Sequence, residues 1–326
     1  MDLQKKNLIL GTITHYKFHV IKPFFSTLRS TGYSGDVTLF HANIPLHTVH
    51  QLRQRGVVLI PFESLFPHLQ PILAKHLTRW VDKKRVSTLD LSCLRYLFAY
   101  CYLKEFGGQY KHVMLTDIRD VIFQKDPFNF SIGEKLCCFL EREGVSLGQQ
   151  YDNAEWMELA FGEATREQLS DSPIVCSGVT IGPTDLIIDY LEKMADLFMR
   201  APGKGWEVAP MAGQISGQKW TGLDQGVHNY LVFNALLPRF TLYPNDGGPV
   251  LTVGIEDKVS LNNCGFIVNK CGDVPNIVHQ YDRHWHVAKR YYSLRVIWKH
   301  GWLAALTASA FKFHRLLVKA RDTLFQ

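Results

Sequence analysis

Two hydrophobic rhythms alternate along the first part of the chain. Short unbroken apolar runs, such as the one inside Asn7 to Thr14, read as strands buried on both faces. Between them, apolar positions recur at helical spacing, first from Phe18 to Ser30. The pattern then predicts a strand from Asp36 to His41, a helix from Thr48 to Arg55 and a strand from Val57 to Pro61. Strands alternating with helices specify an α/β fold, a mainly parallel sheet wound by right-handed crossovers. The helical signal is strongest from Leu89 to Phe106, with apolar positions at Leu91, Leu94, Leu97, Phe98, Cys101 and Tyr102. Gly107-Gly108 stops it as a C-terminal cap does. Val113 to Leu115 is a short buried strand running into Thr116-Asp117, and Leu136 to Leu140 is another. The second half is more broken. It predicts a strand with a glycine kink from Ile174 to Gly182 and helices from Pro183 to Met199 and from Gly222 to Phe233. Short strands are expected near Phe240 to Tyr243 and Phe266 to Val268, and 201–219 is a Gly- and Pro-rich loop.

Composition narrows the class. At 326 residues, 46% hydrophobic and 20% charged, the chain is globular and long enough to bury a core without staples. Seven cysteines, an odd number with no Cys-x-x-Cys spacing, argue against a disulfide framework or structural zinc. Most lie in apolar runs and read as small buried hydrophobes in a reducing compartment. The apolar run at Leu8 to Leu10 is too short for a signal core, and no stretch has the length of a membrane span. The reading is a cytoplasmic protein. The net charge of +6 is uneven: residues 283–326 carry nine Lys or Arg against Asp322, a net of +8 that leaves −2 for the rest. A nucleic-acid binder is expected to spread its cations over the folded surface, so no nucleic-acid partner is expected. Within 287–326, Trp298, Trp302, Phe311 and Phe313 stand among those cations. Such a basic amphipathic segment either lies on the cytoplasmic face of an anionic membrane or docks on the body with a solvated basic face. Both readings stay open.

The strongest chemical signal is Leu115-Thr-Asp-Ile-Arg-Asp120. In open α/β sheets, ligands bind beyond the carboxyl ends of strands. Two carboxylates there are costly unless something cationic joins them. Their oxygens suit Mn²⁺ or Mg²⁺, ions that also bind phosphate oxygens. The structural alternative is a capping Asp with an Asp–Arg119 ion pair.

These residues carry a resemblance. Arg95-Tyr-Leu-Phe-Ala-Tyr, Phe106-Gly-Gly and Val113-Met-Leu-Thr-Asp-Ile-Arg-Asp-Val-Ile-Phe resemble the GT-A glycosyltransferases, most of all the glycogenin-like and galactosyltransferase-like retaining group. The resemblance implies a GT-A, Rossmann-like catalytic domain over 1–282, with a nucleotide-binding half over about 1–130 and an acceptor half over 131–282. It leaves 283–326 as the basic segment. It implies a metal site of Asp117, Asp120 and His279 holding Mn²⁺ (or Mg²⁺). Arg95 would support the acids or the diphosphate; a solvated or capping Arg is the alternative. Val175-Cys-Ser-Gly-Val resembles the Asn-Ala-Gly-Val strand that faces the donor sugar, through Ser177 and Gly178, although an ordinary bulged core strand reads the same way. Leu223-Asp-Gln-Gly resembles the Asp-Gln-Asp helix start, which makes Asp224 and Gln225 the catalytic pair. Gly11, Thr12 and Tyr16, after the first strand, would meet the base and ribose, or serve turn and capping roles.

The implied reaction moves a hexose from a nucleoside diphosphate sugar, UDP-sugar ahead of GDP-sugar, to an acceptor hydroxyl, with retention. A carbohydrate or lipid-linked acceptor is the expected partner. One departure stands out: the spacing is Asp-x-x-Asp, with Arg119 where the second Asp of the family pattern falls. On an ideal strand, positions i and i+3 face opposite ways, so a turn after Asp117 is required. The rivals are a degenerate membrane-associated GT-A scaffold, which the altered motif permits, and a nucleotidyltransferase. The latter needs a Gly-rich basic loop that Gly11-Thr-Ile-Thr does not supply.

Overall fold

The computed structural model describes residues 5–76, 89–202, 222–254 and 257–292. The tail from 293 onward and most of the Gly- and Pro-rich loop (203–221) lie outside the described residues, so the membrane-segment expectation stays one of sequence. The elements in chain order begin β1 (Lys6–Thr14), α1 (Phe18–Ser30), β2 (Asp36–Ala42), α2 (Leu46–Arg53) and β3 (Val58–Pro61). α3 (Phe62–His76) follows, carrying Pro67 and Pro71, and then α4 (Leu91–Phe106), β4 (Tyr110–Thr116), β5 (Val121–Phe123) and β6 (Leu136–Leu140). α5 (Tyr151–Phe161), α6 (Glu163–Gln168), β7 (Val175–Pro183), α7 (Thr184–Arg200) and α8 (Leu223–Phe233) come next. The chain closes with β8 (Phe240–Tyr243), β9 (Val250–Thr252), β10 (Ser260–Leu261), β11 (Ile267–Val268), β12 (Ile277–His279) and α9 (Trp285–Ala288).

The main sheet has the order β3-β2-β1-β4-β7-β6-β8. It is mixed rather than uniformly parallel: β7 runs antiparallel to both neighbours, while β1 to β4 and the β6–β8 pair are parallel. Its two faces follow from strand periodicity. Leu8 and Leu10 on β1, with Val113 and Leu115 on β4, join one core with α4, α7 and α8. Ile9 and Met114, the alternate residues, join the core beneath α1. Helix α4 is apolar nearly all round and is buried from Tyr96 to Leu103. Asp90 caps it by accepting the Cys93 N–H at 3.0 Å. The helix stops at Gly107, but in right-handed geometry (φ −60°, ψ −28°), and tightens into a 3-10 turn. Gly107 instead provides clearance, since a Cβ there would lie 3.2 Å from Thr184 Cγ2.

A second sheet, β5-β12-β9, abuts the carboxyl end of β4. β12 pairs antiparallel with β5, placing His279 opposite Val121, and parallel with β9, placing His279 beside Thr252. Because β5 begins directly after Asp120 and β12 ends on His279, this register brings Asp120 and His279 together. The Gln280 N–H clamps the junction by donating to Asp120 O at 2.6 Å. Gln280 holds a left-handed backbone (φ 62°), a conformation uncommon outside glycine and concentrated at functional sites.

Candidate functional site

The site forms where the chain leaves one sheet for the other. After β4 it bends through 118–120 into β5. Ile118 turns inward and is 2% exposed. The Arg119 guanidinium, half exposed, pairs with Asp120 Oδ2 and with Asp282 Oδ2 at 3.5 Å each, so the Asp–Arg119 ion pair offered as the structural alternative does form. Room for Ile118 comes from Gly11, where any Cβ would overlap the Ile118 side chain. The bend answers the spacing problem of Asp-x-x-Asp. Asp117 ends the large sheet, Asp120 opens the small one, and both carboxylates turn to one point. Asp117, Asp120 and His279 each offer a ligand atom there, all within 4.8 Å of one another.

His279 Nε2 lies 3.5 Å from Asp117 Oδ2 and 4.0 Å from Asp120 Oδ2. The residue is 2% exposed, and no described residue gives that nitrogen a hydrogen bond. Its other nitrogen is held: Nδ1 sits 3.3 Å from Cys176 Sγ and 3.4 Å from Thr252 Oγ1. A buried nitrogen without a partner, aimed between two carboxylates, fits a divalent cation that accepts imidazole and oxygen ligands. Burial alone would keep His279 neutral, but Cys176 and the facing Asp117 outweigh it and hold its pKa well above the usual histidine range. A proton and a metal ion therefore compete for the same nitrogen. Gly178 forms the wall. The Asp117 N–H donates to Gly178 O at 2.9 Å, and a Cβ on Gly178 would lie 2.7 Å from His279 Nε2 and 3.0 Å from Asp117 Oδ2.

Arg95 joins this corner to a second one. From α4 it donates through Nη1 to Asp117 Oδ1 and through Nη2 to Asp224 Oδ2 at 2.7 Å, with its side chain 18% exposed. Burial tends to raise the Asp117 carboxyl, yet Arg95 and His279 prevail and hold it well below the usual carboxylate range. At Asp224, 5% exposed, burial prevails over Arg95 and the carboxyl is raised. Asp224 is the second residue of α8, after Gly222 at the cap position. There its charge faces the positive end of the helix dipole.

A slip in the β6–β7 ladder delivers Ser177 and Gly178. The two-residue step from Cys137 to Phe139 on β6 is matched on β7 by the five-residue step from Ile181 to Cys176. The Ser177 N–H donates to Gln225 Oε1 at 2.7 Å, and its hydroxyl lies 3.4 Å from Asp224 Oδ2. Gln225 is fixed at both ends, with Nε2 near Val175 O (3.1 Å), Glu141 Oε2 (3.2 Å) and Asn153 Oδ1 (3.3 Å). Gly11, Thr12, Arg95 and Ser177 line one cleft with Tyr96 and Thr116. Tyr16 is partly buried within electrostatic reach of Arg119, Asp120 and Asp117, and its phenol is raised chiefly by burial. His284, five residues after His279, has its Nε2 2.8 Å from Gly254 O.

Sequence reasoning passed over Glu141, Cys176 and Thr252. Glu141 follows the apolar strand β6 as Asp117 follows β4, so the same strand-end logic would have found it. Burial raises its carboxyl, opposed by Arg283 and His279. Cys176 and Thr252 gave no signal, because only strand register sets them beside His279.

The architecture is α/β with a mixed central sheet. Solved structures similar to it include glycosyltransferases. An active-site mutant of LgtC aligns over 87% of this chain and 93% of that chain, with 10% identity and a TM-score of 0.44. The galactosyltransferase LgtC with donor and acceptor sugar analogues aligns over 87% and 93%, with 13% identity and a TM-score of 0.41. The bifunctional glycosyltransferase WbbM in its apo form aligns over 86% of this chain and 46% of that chain, with 9% identity and a TM-score of 0.41. No protein-family model matches the chain, and no curated protein does.

Proposed function

We propose that the chain is a metal-dependent glycosyltransferase that moves a hexose from a nucleoside diphosphate sugar to an acceptor hydroxyl with retention. The observation that carries this reading is the buried, unpartnered Nε2 of His279 facing Asp117 and Asp120, one guanidinium away from a second buried carboxylate. Asp117, Asp120 and His279 would hold Mn²⁺ or Mg²⁺, which when bound neutralises a leaving diphosphate as a Lewis acid. The rest falls to the chain's own residues. Arg95 keeps Asp117 ionised and fixes the distance between the two corners. Gly178 lets the donor approach the backbone. Asp224, held by Arg95 and Ser177, presents a carboxylate to the sugar side, and the Gln225 clamp on Ser177 keeps that wall rigid. Gly11, Thr12 and Tyr16 border the side where a base and ribose would lie. A uridine donor and a carbohydrate or lipid-linked acceptor complete the reading, with residues 1–282 as the catalytic domain.

Thermal-shift measurement with a panel of nucleotide sugars, with and without Mn²⁺, tests it. A ligand that binds the native state raises the melting temperature, by about 2.7 kcal/mol of stability at a hundredfold excess over Kd. One sugar nucleotide is expected to stabilise the chain only with Mn²⁺, and Asp117→Ala to abolish that effect. If no nucleotide sugar binds or is hydrolysed with Mn²⁺ present, the enzyme reading fails.

A further inference from the structure

The outer surface of α1 and α2 is built unlike the rest of the body. Residues 3–35 contain no acid, and 37–62 contain none either. Asp36, between the two stretches, is bound to Lys6 at 3.1 Å. Helix α1 turns Val20, Ile21, Phe24 and Leu28 inward and exposes His19, Lys22 and Arg29 at helical spacing. Helix α2 and the turn after it expose His47, His50, Arg53 and Arg55. The two elements are locked together: Thr48, fully buried, accepts the Phe18 N–H through Oγ1 at 3.0 Å. Phe18, His19, Lys22, His47, Gln51 and Arg55 line the open cleft between them, with the Arg55 guanidinium 4.4 Å from the Phe18 ring centre. At the head of α2 stands Leu46, 78% exposed, the most exposed large hydrophobic side chain among the described residues.

We propose that this α1–α2 face is a docking surface for an anionic lipid bilayer, with Leu46 entering the interface and Lys22 and Arg55 meeting lipid phosphates. A cationic face to which α1 and α2 contribute no acid, rimmed by an exposed apolar side chain, combines the two attractions that hold a protein on such a surface. A soluble phosphate needs donors converging on one enclosed point, whereas these are spread along two helices. Base stacking adds to the hold on a single nucleic-acid strand, and the one large aromatic ring of this cleft, Phe18, is 6% exposed beneath Arg55. The face also adjoins the candidate site. α1 starts two residues after Tyr16, whose phenol feels Arg119, Asp120 and Asp117. This inference does not depend on the transferase reading or on the basic tail.

The test uses the full chain and vesicles of phosphatidylcholine with or without phosphatidylserine, in about 0.1 M salt. An environment-sensitive dye is placed by Leu46→Cys in a Cys264→Ser, Cys271→Ser background. The dye is expected to be quenched by lipids carrying quenchers on their acyl chains, and only in vesicles containing phosphatidylserine. Lys22→Ala and Arg55→Ala are each expected to lower partitioning about fivefold, the worth of one basic residue near an anionic surface. Both side chains are exposed, so an unchanged thermal melt verifies that each variant is folded. If the chain sediments with vesicles while the dye stays open to aqueous iodide, another segment docks and the proposal is overturned. Vesicle binding that is unchanged in both alanine variants overturns it as well. So does binding of RNA or inorganic phosphate that needs Lys22 and Arg55 while vesicles do not bind.

Discussion

Two acidic corners share one guanidinium, and they are built for opposite ends. At the end of β4, Asp117 faces Asp120 and His279, with one ligand atom of each within 4.8 Å of the others, and its charge is secured by Arg95 and His279. At the start of α8, Asp224 is packed against Ser177 and Arg95, and Gln225 beside it has its polar atoms engaged. The first corner sets carboxylate oxygens beside a buried nitrogen that no described residue hydrogen-bonds, a donor set that fits a divalent cation. The second is completed by the protein itself and offers a carboxylate whose charge is hard to keep. Arg95 alone does not decide a carboxylate's state. What decides it is how much burial opposes the guanidinium, and how many further cationic groups stand behind it.

The strongest way to break this contrast is to remove the shared residue. Arg95→Ala leaves two carboxylates facing each other without their cation. Breaking a largely buried charge pair from one side costs about 3–5 kcal/mol. Urea unfolding is expected to show a loss of that size. A loss below about 1 kcal/mol would mean that the two corners stand independently. Next in size is the separation of the corners by metal affinity. Asp117→Asn is expected to weaken Mn²⁺ binding by more than about 100-fold, beyond what the loss of a residue behind a ligand brings. Asp224→Asn is expected to leave it within about tenfold. Equal losses in a calorimetric titration would make the two corners one site.

The sequence announced these corners unevenly, for physical reasons. β1, β2 and β4 contain unbroken apolar runs, and Asp117 follows such a run and begins an acidic motif, so the strand-end acid was legible. His279 was placed through its resemblance to a family position rather than by any period. β5, β9 and β12 are three residues each, too short to carry a rhythm. The pairing of β12 between β5 and β9 was therefore invisible, and with it the contacts of Cys176 and Thr252 to His279. The direction of β7 was hidden too, because an apolar strand reads alike in parallel and antiparallel sheets. Helix α3 escaped notice behind Pro67 and Pro71, residues that ordinarily end a helix. The extra residue in Asp-x-x-Asp looked like a defect of the motif. It is the residue needed to cross between sheets, with Ile118 anchored inward under Gly11.

A smaller effect sharpens the contrast from the wall between the corners. Gly178→Ala drives a methyl group against His279 and Asp117 while leaving Asp224 and Gln225 untouched. Overpacking of this kind costs about 1–3 kcal/mol. Thermal unfolding should register it, and Mn²⁺ affinity should fall together with stability. Unchanged affinity would mean that His279 moves aside without loss and that its position is not what holds the ion.

The smallest effect concerns the charge states themselves. Asp224 is raised because burial outweighs Arg95, so its protonated form stabilises the fold. That contribution is fully present below the unfolded value of about 3.9 and is lost as pH rises through the higher folded pKa. Asp117 runs the other way: held low, its contribution is present above the unfolded value and is lost only in strong acid. Asp224→Asn replaces the carboxyl with a neutral group that does not titrate. Wild type is therefore expected to lose stability relative to Asp224→Asn as pH rises from about 4 toward 7, measured by urea unfolding at each pH. Both proteins keep Asp117, so its titration drops out of the difference to first order. If wild type instead gains on the variant over that range, Arg95 outweighs burial at Asp224 as Arg95 and His279 together do at Asp117. The two corners would then be electrostatically alike, with their difference reduced to the His279 nitrogen.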